Sequence, residues 1–537
     1  MTPSLPPLSF AQEQLWFIDE FHHGLPAHNV PGLVWLEGEL DVVALGQALG
    51  ALISRHETLR TRLVPTADGH PGQLIDPAGP DPVLELTSHD GAPPHEAERR
   101  LRELADEEAL RPFHLADEHP LRARLIRLAA GSHALVLVVH QTAIDQLSLL
   151  TLIADLAALY QGFTTGQPAE LAPLPTRFAG LAARERERLR GWALDELSGY
   201  WRTTLAGFET SRFPADRPRP VLADHDGAIQ QVLAEAGLTD RLREVSREAG
   251  TTLAVTLLAA QFALLHRYTG QEDLILGLAR DARSGPEAAG IVAFLEDVVP
   301  VRVNTSGDPG FRDLLDRVRT AVSEAAAHDL PFARIVDALA IERDPGRFPV
   351  FQTAFRFTEP VRPAPGGAVT FRYERVPLRA SRYDLGLTAE PGPDGLRLEA
   401  SYPPSLYDPA TARRLLVHYE VLLAGVAADP SARLSQLPLL TEAELRAELA
   451  DWNDTDTDLP VECVHEGIER QVAAAPGAVA VELEAERVSY QELNRQANQI
   501  ARLLRSHGVG PEILVGVAMT TSPRRLAALL ATWKAGG

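Results

Sequence analysis

Three polar side chains within six residues form the segment of this chain best suited to proton-transfer chemistry. His140, Gln141 and Asp145 follow an apolar run and precede a helical pattern. A histidine at the end of a strand, with a carboxylate five residues later, is an arrangement suited to acid–base catalysis. Gln141 does not titrate near neutral pH, but its carbonyl oxygen accepts hydrogen bonds from amines. A polar loop that satisfies its own hydrogen bonds fits the same residues, so this segment alone does not decide between the two interpretations.

The elements around this segment predict a mixed chain of helices and strands. Ala134–Val139 is a continuous apolar run typical of a buried strand, and Leu147–Tyr160 has helical spacing with Gly162 as its predicted end. Further along, Leu385–Glu390 and Leu396–Tyr402 are predicted to pair as a hairpin. Because helical and strand patterns alternate throughout the chain, we predict an α/β or α+β fold.

The composition is that of a globular protein, and it argues against several classes of partner. The chain has 537 residues, of which 45% are hydrophobic and 23% charged, and its 51 basic and 73 acidic residues give a net charge of −22. Such a negative field argues against nucleic acid and anionic membranes as main partners. The most apolar runs are shorter than the roughly 20 residues that a bilayer span needs, and the N-terminus lacks the regions of an export signal.

The cysteine and histidine content predicts a cytoplasmic location and no metal site. Cys463 is the single cysteine, which excludes an internal disulfide and any multi-cysteine metal site. No feature of the sequence requires an oxidising compartment. His22, His23 and His28 cluster near the N-terminus, but no carboxylate or cysteine lies at ligand spacing, and we interpret them as part of a loop.

The residues after 460 predict the beginning of a further α/β unit. Asp451–Pro460 is rich in Asp and turn-forming residues, as in a linker. A strand at Ala480–Leu483, a helix at Tyr490–His507, a strand at Ile513–Ala518 and a helix at Arg524–Trp533 are predicted to follow. These elements are too few for a complete domain, so we predict that the chain is a fragment of a longer protein.

Motifs that occur in register give the chain a resemblance to a known family. Ser9–Phe17 is similar to S-x-A-Q-x-R-L-W, Arg55–Thr61 to R-H-E-x-L-R-T, His328–Phe332 to H-x-D-x-P-F less one residue, and Arg343–Gln352 to R-D-x-S-R-N-P-L-F-Q. Over about residues 5–440 the chain resembles the condensation domain of nonribosomal peptide synthetases. The tail, which ends at Gly537, resembles the beginning of an adenylation domain. It stops before that family's phosphate-binding loop and catalytic lysine, so the fragment is not expected to activate amino acids.

The resemblance implies an architecture and a set of partners. The condensation fold consists of two chloramphenicol-acetyltransferase-like lobes in a V, which places an N-lobe at 1–175, a C-lobe at 176–440, a linker at 441–460 and the N-terminal fragment of an adenylation domain at 461–537. A tunnel between the lobes receives two phosphopantetheine arms, one with an acyl or peptidyl thioester and one with an aminoacyl thioester. Carrier proteins are therefore the expected partners. Phosphopantetheine is expected as a carrier of substrate and not as a cofactor bound by this domain.

The family's motif H-H-x-x-x-D-G implies roles for the segment at 140–146. Its second His, the usual catalytic residue, is Gln141 here, and His140 keeps the first position. Its final Gly is Gln146, whose side chain is expected to crowd the tunnel and to be costly if the backbone needs a positive φ. Asp145 keeps the family's structural carboxylate, and Arg283 stands where the family has the arginine that pairs with it.

Two further places in the sequence are implied to line the tunnel. Glu296 and Asp297 replace neutral residues of the family's F-x-N-T motif. His328 is a candidate to line the site, with helix capping or packing beside Pro331 as the simpler role. The family's fourth motif, Y-x-D-Y-A-x-W, corresponds to Phe178–Arg184 and has lost its Tyr, Asp and Trp.

These departures leave two functions open. In the first, the domain is an enzyme that joins two carrier-bound substrates by an amide bond, with Gln141 and the backbone positioning the amine. In the second, it is a catalytically silent condensation-like domain that docks carrier proteins or recruits a tailoring enzyme. An epimerising or cyclising relative fits less well, because the opening motif resembles the ordinary condensation type.

Overall fold

The structure is a computed structural model, and it describes residues 5–22, 26–66, 69–79, 84, 86–89, 91–222, 226–283, 285–342, 344–377, 379–458 and 462–537. His23, Arg343 and the end of the predicted linker at 459–460 lie outside these residues. The chain forms two compact units, of which the first ends at Leu445 and the second begins at Arg446.

The first unit contains the helices and strands that carry the predicted site. Its first part comprises α1 (Phe10–His22), β1 (Asn29–Gly38), α2 (Val42–Arg55), β2 (Thr61–Pro65), β3 (Pro71–Ile75), β4 (Leu86–Ser88), α3 (Pro94–Leu110), β5 (Leu121–Ala129), β6 (Ser132–His140) and α4 (Gln146–Thr165). Its second part comprises α5 (Phe178–Arg188), α6 (Gly191–Thr204), β7 (Ala228–Glu235), α7 (Ala236–Glu248), α8 (Leu253–Thr269), β8 (Asp273–Asp281), β9 (Glu296–Asn304), α9 (Phe311–Ala327), α10 (Phe332–Leu339), β10 (Thr353–Phe357), β11 (Ala364–Gly366), β12 (Val369–Arg375), β13 (Leu385–Gly392), β14 (Gly395–Tyr402) and α11 (Pro409–Ala428). The boundary between the two units falls within α12 (Glu442–Leu449).

Two six-stranded sheets organise this unit into two lobes. The strand orders are β11-β12-β1-β6-β5-β4 in the first lobe and β7-β14-β13-β10-β8-β9 in the second. The predicted hairpin is present as β13 and β14, which pair antiparallel. β10 runs parallel to both β8 and β13, so the second sheet is mixed.

A segment from the second part of the chain, β11 and β12, completes the sheet of the first lobe. β12 pairs antiparallel with β1 from Gly32–Arg375 to Gly38–Val369, and β11 extends the same sheet. Phe371 of β12 is buried against Tyr160 in the core of the first lobe. The predicted boundary at residue 175 therefore needs a correction, because residues 364–375 belong to the sheet of the first lobe.

Local signals set the helix ends. Asp41 accepts hydrogen bonds from the amides of Val43 and Ala44 at the start of α2. α4 does not end at Gly162 as predicted but continues to Thr165, and Gly166 follows with a φ of 70°. A Cβ atom at Gly162 would lie 2.9 Å from the carbonyl oxygen of Gln167, so this glycine permits close packing of the chain that leaves the helix.

α4 is apolar because it packs inside the first lobe. Leu149, Leu152, Ile153 and Leu156 are buried in the core that α4 shares with α2 and the sheet. Of the helices within the described ranges, α4 is long and apolar enough to cross a membrane by length and composition, and the bent pair of α7 and α8 passes the same test when taken together.

The second unit is small. It contains α13 (Val464–Ala474), β15 (Val479–Leu483), β16 (Glu486–Ser489), α14 (Tyr490–Ser506) and α15 (Pro523–Ala535). The predicted strand at Ile513–Ala518 is wrong, because these residues are irregular and Leu514 is 99% exposed. A strand needs a neighbour for its backbone hydrogen bonds, and the strands described in this unit, β15 and β16, pair with each other.

Candidate functional site

Asp145 links the loop between β6 and α4 to the second lobe through hydrogen bonds. Its side chain is 1% exposed. One carboxylate oxygen accepts hydrogen bonds from the backbone amide of Ser148 (2.8 Å) and from Arg283 Nη2 (2.9 Å). The other accepts from the backbone amide of Leu295 (2.8 Å), immediately before β9. One carboxylate thus caps α4 and binds two segments of the other lobe.

Ser148 strengthens the same junction. Its Oγ donates to the carbonyl of Ala293 (2.8 Å) and accepts from Arg283 Nη2 (2.6 Å). The position of Ser148 three residues after a capping Asp is the signal that would have placed it at this junction.

Gln141 lies in a short 3-10 turn, Gln141–Ala143, between β6 and α4. Its Oε1 accepts a hydrogen bond from Arg382 Nη2 (2.7 Å). The same nitrogen lies 2.7 Å from Nδ1 of His28. A guanidinium can only donate, so Nδ1 of His28 accepts this hydrogen bond. Arg382 therefore engages acceptor atoms of both Gln141 and His28.

Sequence reasoning did not find Arg382. It lies 241 residues from Gln141, and no spacing rule connects the two. In the sequence His28 belongs to a cluster of histidines, whereas the structure buries it beside Gln141, with 3.3 Å between its Nδ1 and Oε1 of Gln141. The contact arises only because the lobes meet at this turn.

His140 holds the turn and is neutral at physiological pH. Its Nδ1 lies 2.9 Å from Oγ1 of Thr142 and accepts from the Thr142 amide. Burial lowers the pKa of His140 to about 3, and the charges of Arg122 and Arg382 add to the shift. A histidine with this pKa is uncharged near pH 7 and carries a proton on only one ring nitrogen.

Three cavities share lining residues, and Gln141 itself lines none of them; His28 and Arg382, which contact Gln141, line the first. The first, of about 350 Å³, is lined by His28, Arg382, Glu296 and Asp297 among others. The second, of about 290 Å³, also contains Glu296 and Asp297. The third, of about 220 Å³, contains Glu296, Gln146 and Asp145. Glu296 thus lines all three cavities, which we call the first, second and third cavity.

The charges in these cavities are mostly paired. Glu296 forms an ion pair with Arg356, and Arg375 forms one with Glu399. Asp297 accepts instead from two backbone amides, those of Val298 (2.8 Å) and Phe332 (3.1 Å). Burial raises the pKa of Asp297 to about 7, although the charge of Arg280 acts in the opposite direction.

The other expected tunnel residues divide between two places. Gln146 lines the third cavity as the first residue of α4, and it is not among the residues with positive φ. His328 lies at the C-terminal end of α9, where its ring stacks on Tyr200 at 3.5 Å and its Nδ1 contacts the carbonyl of Glu324. The structure therefore brings Gln146, Glu296 and Asp297 to the cavities and places His328 at a helix end.

We expect Asp297 to make the stability of the first unit depend on pH. Because its pKa is raised in the folded state, the folded chain holds one more proton than the unfolded chain between about pH 4 and pH 7, and stability falls as pH rises through this window. Asp297→Asn removes this dependence. From pH 5 to pH 8, the unfolding free energy of Asp297→Asn, measured in urea, should rise by about 3 kcal/mol relative to that of the unaltered chain. Asp195→Asn, at an exposed carboxylate, is the control, and parallel curves for Asp297→Asn and the unaltered chain would contradict the raised pKa.

Comparison with known proteins identifies the fold and the family. The Condensation domain family matches residues 5–449, and the AMP-binding enzyme family matches residues 468–537. The chain belongs to the condensation-domain family. The predicted fold of two chloramphenicol-acetyltransferase-like lobes in a V, followed by the start of an adenylation domain, is confirmed.

The relatives are large peptide synthetases. One of the linear gramicidin synthase proteins of Brevibacillus parabrevis is 37% identical over 537 residues, which is 99% of this chain and 10% of that protein. The chain thus spans about a tenth of the length of this relative.

Two solved structures are similar to the condensation domain. The X-domain from teicoplanin biosynthesis is 29% identical with a TM-score of 0.72, over 82% of this chain and 99% of that one. The X-domain in its complex with OxyB is 29% identical with a TM-score of 0.71, over 82% and 97%.

Proposed function

We propose that this condensation domain forms an amide bond between two substrates carried by carrier proteins. The donor is an acyl or peptidyl thioester and the acceptor an aminoacyl thioester, each on a phosphopantetheine arm. The observation that supports the proposal is the group of three cavities that share Glu296 and are lined by both lobes, the first of them lined by His28 and Arg382, which contact Gln141. We also propose a cytoplasmic location, which rests on the cysteine content of the sequence.

The chemistry needs positioning more than a strong base. The acceptor nitrogen attacks the thioester carbon, a C–N bond forms, the C–S bond breaks, and the amine proton leaves to solvent or to the departing thiolate. An α-amino group has a pKa of about 8, so a useful fraction is neutral at neutral pH. Holding both reactants in line is worth an effective concentration of about 10⁵ M or more. Gln141 is a positioning residue in this scheme, because an amide cannot take up the proton.

The proposal is tested by transfer between carrier proteins. The intact mass of an acceptor carrier protein is measured after mixing with a loaded donor and this chain, in the unaltered form and as Gln141→His and Gln141→Ala. We expect the unaltered chain to transfer. Gln141→His should increase the rate by about 100-fold, since a general base contributes roughly 10²–10⁴-fold, whereas Gln141→Ala should lower the rate by severalfold. Transfer by Gln141→His alone would show that the natural domain is silent and would overturn the proposal.

A second candidate function is the recruitment of a tailoring enzyme. It is favoured by the 29% identity to an X-domain that was solved in complex with OxyB, and by the absence of a titratable base at position 141. A domain of this kind would bind such an enzyme and leave the loaded donor unchanged in the same assay.

A further inference from the structure

We propose that Arg382 binds an anionic group, a carboxylate on the acyl or aminoacyl substrate, within the first cavity. This inference rests on the proposed function, because it assumes that the cavity receives carrier-bound substrates. It adds the chemical class of substrate that the cavity favours.

The charge balance of the three cavities singles out Arg382. Six other arginines line them, and each has a carboxylate within 4.0 Å: Arg184, Arg188, Arg280, Arg283, Arg356 and Arg375. Among the residues that the structure describes, no carboxylate comes within that distance of Arg382, whose Nη2 donates to the side chains of Gln141 and His28. Of the arginines that line the first cavity, Arg382 is therefore the one without a carboxylate within 4.0 Å among the described residues.

The surroundings of Arg382 disfavour its charge. Burial lowers the pKa of the guanidinium and the nearby charge of Arg356 acts in the same direction, whereas Tyr383 and the charge of Glu296 act in the opposite direction. The side chain is exposed, and it lines the first cavity. Taking a charge out of bulk water is unfavourable unless an opposite charge compensates it. A ligand that enters the cavity can supply that charge.

A carboxylate matches the available donors. A guanidinium carries five N–H groups, and hydrogen bonds to Gln141 and His28 use two of them, both on Nη2. Arginine binds carboxylates through two parallel N–H···O bonds. The rest of the cavity includes Leu15, Phe294, Phe332 and Phe355, which suits a short carbon chain that ends in the charged group.

Two stable pantetheine thioethers test the inference without the need for turnover. One carries a terminal carboxyethyl group and the other its neutral isostere, carbamoylethyl, and both lack the phosphate. Binding is measured by calorimetry with the full 537-residue chain. We expect the carboxylate to bind at least about 10-fold more tightly than the amide, because hydrogen bonds to charged groups are the strong ones.

Four forms of the chain assign the preference to Arg382. Arg382→Gln should bind both analogues equally, and Arg382→Lys should keep part of the preference because it keeps the charge. Arg379→Gln, the same change at an exposed arginine outside the three cavities, should match the unaltered chain. Circular dichroism of each variant checks that it is folded.

The outcomes separate this inference from the proposed function. Equal binding of both analogues by the unaltered chain, or a preference that survives in Arg382→Gln, would overturn the role of Arg382 and leave the proposed function intact. If a phosphorylated form of the carbamoylethyl analogue gains the same affinity through Arg382, the anion is the phosphate of the carrier arm, and the substrate carboxylate is excluded. If neither analogue binds at millimolar concentration, the cavity does not receive substrates and both proposals fall.

Discussion

Replacing Asp145 with alanine should lower the unfolding free energy of the condensation domain by about 3–5 kcal/mol, the usual cost of breaking a buried ion pair. The change removes the partner of Arg283 and of the amides of Ser148 and Leu295, all of them donors at the junction of the lobes. Carrier-to-carrier transfer should be lost as well, because the turn at Gln141 is no longer held. Urea unfolding and the intact-mass assay measure the two effects.

Asp281→Ala is the matched control for this experiment. Asp281 also pairs with Arg283, at 2.8 Å, but its side chain is 35% exposed. Removal of a partly exposed partner should cost about 1 kcal/mol or less. Equal losses in the two variants would contradict the central role given to Asp145 and would indicate that Arg283 alone holds the loop.

Phe371→Ala should destabilise the first lobe by about 3–5 kcal/mol, as expected for a large buried aromatic side chain. Phe371 is fully buried, and its ring lies 5.5 Å from that of Tyr160 in α4. Phe371 lies in β12, which comes from the second half of the chain but pairs with β1 of the first lobe. The variant therefore tests whether β12 stabilises the first lobe. Hydrogen exchange should show the loss of protection in β1 and β6, which share this sheet.

Thr370→Ala serves as the control on the same strand, because the Thr370 side chain is exposed. It should change the unfolding free energy by no more than about 0.5 kcal/mol. If Phe371→Ala had an equally small effect, β12 would contribute little to the stability of the first lobe, although it pairs with β1.

The polar residues at the site fall into two groups, one that joins the lobes and one that faces the substrates in the proposed reaction. Asp145, Ser148 and Arg283 join the lobes and need no titratable base. Gln141 and Arg382 occupy the turn and the cavity where substrates would meet. Substitutions at Gln141 or Arg382 should alter the chemistry or the substrate class and leave the architecture unchanged, because Asp145, Ser148 and Arg283 still join the lobes. Transfer and binding are therefore tested by separate experiments.

The sequence by itself determined the family and most elements of secondary structure. Helix caps such as Asp41 act over a few residues, and apolar periodicity sets the buried faces of strands such as β6, so both can be predicted locally. The family's motifs also placed Asp145 opposite Arg283, and the two lie 2.9 Å apart. These features depend on neighbours in sequence or on a known pattern.

Tertiary structure alone decided the rest. Whether Ile513–Ala518 forms a strand depends on a neighbouring strand, and the close approach of Gln167 to Gly162 depends on how the chain packs after α4. The return of β12 to the first lobe and the contact of Arg382 with Gln141 join segments separated by more than 200 residues. Such contacts form because two lobes bury complementary surfaces. No local pattern records which side chains then meet, so the position of Arg382 beside Gln141 and His28 became visible only in the folded chain.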